Sequence, residues 1–133
     1  MITLIEYLTA IREFAKDIHY AAHGHSFYGI HLLMDRVADG IYDKIDEIKE
    51  IYYLGNISTV PSSAEILKQA IQYIPAIDIY DTQADIGKLS DLIAATLDHI
   101  KTIKDGTPAI DSLLDSIAQD LQLKRGLLWR SKE

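Results

Sequence analysis

An all-α fold follows from three observations. Hydrophobic residues recur at helical steps of three and four over four long stretches, turn and capping signals separate those stretches, and the connection between the second and third carries a capping box of its own. The predicted architecture is four long helices packed as a bundle, with a short extra helix in the crossover. A chain of 133 residues forms one domain of this kind, residues 1–133.

The first helix, about 2–22, rests on the stripe Leu4, Leu8, Ile11, Ala15, Ile18 and Ala22. His23-Gly24-His25 breaks it, and Ser26 is placed to cap the next helix. That second helix is expected to run unbroken to Leu54 on the stripe Ile30, Met34, Val37, Ile41, Ile45 and Ile48, and to end in left-handed backbone at Gly55-Asn56. Ser62 and Glu65 form the capping box of a short helix near 63–73, closed by Pro75. Thr82 and Asp85 give a second capping signal, ahead of a third long helix at about 82–104. After the break at Asp105-Gly106, Thr107 is the expected cap and Pro108 the first residue of the fourth helix, whose inner face is Leu114, Ile117, Leu121 and Leu128. A long second-to-third crossover with its own helix is the connectivity of a ferritin-like four-helix bundle rather than a simple up-down one.

Composition excludes several function classes. No apolar run approaches the roughly 20 residues of a membrane span, and Glu6, Arg12 and Glu13 interrupt what would be a signal peptide, so a cytoplasmic protein is expected. The absence of cysteine removes thiolate catalysis, disulfides and sulfur-ligated zinc, leaving oxygen and nitrogen ligands. Net charge is −7, without a lysine or arginine cluster or a basic tail, so an electrostatic grip on nucleic acid is not expected.

Five residues carry most of the functional information: His19, His31, Asp35, Asp46 and Glu50, at spacings of 12, 4, 11 and 4. On one continuous helix, Asp35, Asp46 and Glu50 would lie about 40°, 60° and 100° around the axis from His31, all on one face. Along the axis, however, His31 and Asp46 would be roughly 22 Å apart, too far to share a metal pair within one chain. Two half-sites are therefore expected. A two-fold axis setting two copies antiparallel would bring His31 and Asp35 of one beside Asp46 and Glu50 of the other, with His19 opposite His31 across the first turn. A lone histidine or aspartate on a helix is usually a surface group, but five ligand-type residues in this register point jointly to a metal site.

The stretch His19-Tyr20, Gly24, Phe27, His31, Asp35, Asp46-Glu47, Glu50 and Leu54-Gly55, continuing to Trp129, resembles the signature of Dps, the mini-ferritin family of DNA-binding proteins from starved cells. The resemblance covers nearly the whole chain. It implies that His19, His31 and Asp35 are ferroxidase ligands from one subunit and Asp46 and Glu50 from its two-fold mate. It further implies a homo-oligomeric shell of twelve subunits that binds Fe(II), oxidises it with hydrogen peroxide in preference to oxygen, and stores the ferric product inside, protecting against oxidative damage. Iron (Fe2+/Fe3+) is the expected metal, with Zn2+ able to substitute. Carboxylates suit the harder Fe(III) and imidazoles hold Fe(II).

The chain departs from the family pattern at three places. Tyr20 stands where a tryptophan is common, the lysine-bearing N-terminal extension is missing, and the chain ends four residues after Trp129. Tyr20 and Trp129 are candidate radical or redox aromatics, while direct DNA binding is not expected. Asp39, Asp43 and Glu47 step by four along the second helix as candidate mineral-nucleation groups, or else as a solvated acidic face. Asp105, Asp111 and Asp115 lie where the family forms an acidic pore. His23 and His25 read as surface groups, and His99 as a structural or exposed helix residue. A di-iron oxygenase or long-chain ferritin would carry Glu-x-x-His motifs, and this chain contains none. The other alternative is an architectural or DNA-compacting shell with little ferroxidase activity.

Overall fold

The computed structural model describes residues 1–132, and every regular element among them is helical. The first helix, α1 (Ile2–Ala21), buries five residues of the expected stripe together with Ile5 and Phe14, and the sixth, Ala22, is buried at its C-cap. This wider apolar face lets α1 serve several neighbours at once.

The second stretch departs from expectation. Instead of one helix it forms α2 (Phe27–Ala38), α3 (Ile41–Ile48) and a π-helical segment, Lys49–Leu54. Between α2 and α3, Asp39 (φ −63°, ψ 138°) and Gly40 (φ 76°, ψ −6°) have the angles of a type II turn, which needs a left-handed third residue. Glycine supplies it. The apolar stripe nevertheless passes through the turn with Val37 and Ile41 both buried, so the break redirects the backbone without exposing the core. A Cβ at Gly40 would meet nothing within 4 Å, which makes the cost of a substitution conformational. Gly40→Ala is expected to lower stability by about 1–2 kcal/mol, read as a shift in urea midpoint, with Gly40→Asn falling between the two.

Two smaller expectations also fail in this region. Ser26 occupies the cap position of α2, but its side chain does not cap the helix. Gly55 is right-handed (φ −62°), and the left-handed residue is Ile57 (φ 57°), which is 97% exposed. The π-turn explains why glycine is needed at 55 all the same: a Cβ there would collide with the backbone oxygen of Ile51.

The crossover helix α4 (Ser63–Ala70) has the full capping box, Ser62 Oγ accepting from the Glu65 amide at 3.2 Å and Glu65 accepting from the Ser62 amide at 3.4 Å. A 3₁₀ turn, Ile71–Tyr73, extends it to the predicted end. Ile66 and Ala70 are buried, and α4 packs on α1. The cap of α5 (Thr82–Ile103) is Asp81 rather than Thr82, accepting from the Ala84 amide at 2.9 Å. Asp85 has a different task. Buried, it accepts twice from the Asp78 amide (3.0 and 3.2 Å) and meets Lys88 at 3.3 Å, while Lys88 donates to the Ala76 carbonyl, so the pair fastens the crossover to α5.

The last helix, α6 (Pro108–Arg130), begins with Thr107 and Pro108 in the expected places, although the Thr107 side chain makes no cap bond. Contacts run from α1 to α2, α3 and α5, from α5 to α6, and from α6 back to α2, α3 and the π segment. These elements thus surround a single apolar cluster. No helix among the described residues is long and apolar enough to cross a membrane.

Candidate metal half-site

The end of α1 and the first turns of α2 bring together three of the five predicted ligands. His19, 6% exposed, and His31 stack with ring centroids 3.5 Å apart and an interplanar angle of 17°. Each ring is held by the other residue's backbone. His19 Nδ1 donates to the His31 carbonyl at 2.7 Å, and His31 Nδ1 donates to the His19 carbonyl at 2.9 Å. A carbonyl can only accept, so in the neutral rings both Nδ1 atoms carry the proton and both Nε2 atoms keep a lone pair. Fixing the tautomer and orientation of a ligating histidine through its other nitrogen is the usual support of a metal-binding imidazole.

Asp35, one turn beyond His31, lies beside the two rings. Its Oδ1 lies 3.6 Å from His19 Nδ1 and accepts a hydrogen bond from Lys16 Nζ at 2.6 Å. That bond holds the Asp35 carboxyl below the usual carboxylate range, with the nearby His19 and His31 acting in the same direction. Lys16 was absent from the predicted site, yet it was accessible to sequence reasoning: it precedes His19 by three residues and so shares its helix face.

Asp46 and Glu50 lie elsewhere. Asp46 is exposed on α3, bordering a groove of ≈ 320 Å³ between α1, α3 and α4 with Thr9, Tyr42 and Lys49, and Glu50 is exposed in the π segment. The straight-helix angles and the separation between His31 and Asp46 no longer apply, because the turn at Gly40 lies between them, and the π segment changes the register again at Glu50. Among the described residues of one chain, no three His, Asp or Glu side chains converge as a metal-binding group, and Asp35 is turned to Lys16 instead.

Of the candidate nucleation groups, Asp39 falls in the turn, so Asp39, Asp43 and Glu47 do not form one helix face. Asp39 and Asp43 instead line a groove of ≈ 540 Å³ beside Asp35, whereas Glu47 lies 4.0 Å from Lys44. The three candidate pore aspartates are engaged in shaping the α5–α6 connection. Asp111 accepts from the Asp105 and Gly106 amides, Asp105 accepts from the Thr107 amide, and Asp115 pairs with Lys104 at 2.6 Å. His23 and His25 are exposed. His99 is half-buried against Tyr7, its Nε2 unpaired and its pKa lowered by burial.

Two aromatic rings flank the half-site. Tyr20 sits edge-on to His19 at 5.0 Å and is 76% exposed, Phe27 lies 5.0 Å from the His31 ring, and Tyr28 and Leu32 are also exposed. Trp129 is exposed near the end of α6. The chain has no match among protein families, curated proteins or solved structures.

Proposed function

We propose that this chain is a Dps-like mini-ferritin that takes Fe(II) and hydrogen peroxide as substrates and keeps the ferric product within a closed homo-oligomer, twelve subunits being the number the resemblance implies. The observation that carries the reading is the reciprocal lock of His19 and His31, which engages both Nδ1 atoms and leaves both Nε2 lone pairs outside it, with the Asp35 carboxylate 3.6 Å from His19 Nδ1. Such a mixed nitrogen and oxygen donor set suits iron. Asp46 and Glu50 of a second copy complete the centre in this proposal, and that copy covers the exposed apolar side chains Tyr20 and Phe27 beside the two histidines. The ring of helix contacts around one core, with α4 in the crossover, supports a ferritin-like bundle.

In the reaction, two Fe(II) give one electron each, the peroxide O–O bond breaks, and two protons complete two waters. This chain's part is to hold the imidazole lone pairs in place and to supply carboxylate charge to the more highly charged product. Tyr20, against His19, is the residue placed to intercept a stray oxidising equivalent. Removing Fe(II) and peroxide together prevents the radical chemistry they would otherwise start, a task for a cytoplasmic protein.

The test is anaerobic Fe(II) loading followed by peroxide, recording ferric absorbance and particle size. Oxidation well above the buffer rate, with soluble ferric iron on an assembly-sized particle, is the expected result. Oxidation at the buffer rate with precipitated iron would overturn the proposal.

A further inference from the structure

We infer that Lys16 is the resident counter-cation of the half-site: its ammonium holds Asp35 while the site is empty and must leave for a metal ion to bind. The inference rests on the reading of His19, His31 and Asp35 as ligands. Lys16 Nζ and His19 Nδ1 both face the same oxygen, Asp35 Oδ1, at 2.6 and 3.6 Å. The ammonium is the group that bonds the carboxylate on α2, because the His19 Nδ1 proton is committed to the His31 carbonyl.

A transition-metal ion bonds a carboxylate oxygen at about 2.0–2.2 Å, inside the ammonium's hydrogen-bond distance, and repels the ammonium as a like charge. Loading Asp35 is therefore an exchange of one cation for another. A lysine can make that exchange, because its charge rides on a flexible four-carbon stem. The groove of ≈ 540 Å³ beside Asp35 gives the displaced ammonium somewhere to go, since Lys16 already borders it together with Asp39 and Asp43. The site is consequently tuned toward divalent ions, which outcompete a single positive charge, and against monovalent ones.

The test is a Co(II) titration of the assembled protein, followed by calorimetry and visible absorption, on wild type, Lys16→Met, Lys16→Arg and His31→Ala. Lys16→Met is expected to bind Co(II) about tenfold more tightly at low salt, because the competing charge is gone. Lys16→Arg is expected to bind more weakly than wild type, because a guanidinium forks onto a carboxylate and is harder to displace. Lys16→Gln stands in if the methionine variant does not assemble. Equal affinities in wild type and both lysine variants, with binding still lost in His31→Ala, would overturn the role of Lys16 and leave the ligand reading standing. Co(II) binding unaffected by His31→Ala, or absent from every variant, would overturn the ligand reading and this inference with it.

Discussion

Shells assembled from an equal mixture of His31→Ala and Asp46→Ala chains are expected to regain about a quarter of the wild-type ferroxidase sites, although neither parent alone retains any. In the proposed arrangement each two-fold pair holds two centres, each built from the His19, His31 and Asp35 group of one copy and the Asp46 and Glu50 group of the other. Random pairing makes half the pairs mixed. In a mixed pair one centre receives both intact halves and the other receives both damaged ones, which gives the quarter. The readout is the initial rate of ferric absorbance after peroxide, compared with parents that were dissociated and reassembled in the same way. A centre confined to one chain makes a different prediction, since no mixture of singly damaged chains can exceed its parents. Recovery at or below the parental level would therefore sink the shared-centre geometry, even if wild type proves to be a ferroxidase.

The features most legible in the sequence were those set by local rules. The α1 stripe is buried as its period requires, and Ser62 with Glu65 makes both bonds of its capping box. Each depends on residues three or four apart, and no distant partner can easily overrule it. The break at Asp39-Gly40 was hidden by the same logic. Val37 and Ile41 are four apart and both buried, so the hydrophobic period continues across a turn that the backbone does not continue through, and only the Asp-Gly pair signalled it. The π segment had no sequence signal of this kind.

For the site, the sequence grouped His19, His31 and Asp35 as one half-site, and the structure sets the two rings and the carboxylate side by side without converging them as a metal-binding group among the described residues. It could not supply the reciprocal carbonyl bonds, which depend on the rotamers of two rings on different helices. Lys16 is not of ligand type, because a cation enters such a site as a competitor. The spacing of three puts Lys16 on the His19 face, but its pairing with Asp35 across the α1–α2 interface is set by how the two helices are oriented.

The largest stability effect is expected from Lys124→Met. In sequence, residue 124 falls in the buried row of α6 between Leu121 and Leu128, where an apolar side chain is the rule. The lysine there is only 3% exposed, and its Nζ donates to the Asp39 carbonyl at 2.7 Å while pairing with Asp120 at 2.9 Å. It therefore satisfies a backbone oxygen at the turn that separates α2 from α3. Methionine matches its length but removes the donor, leaving that carbonyl without its charged partner. Asp120 contributes less, because at 35% exposure it can turn to water. The expected cost is about 2–3 kcal/mol, seen as a lower urea midpoint at fixed protein concentration. Asp120→Asn, which spares the carbonyl bond, should cost well under half as much. If instead Asp120→Asn matched Lys124→Met, the ion pair would be the dominant interaction and the lysine would not be serving the turn.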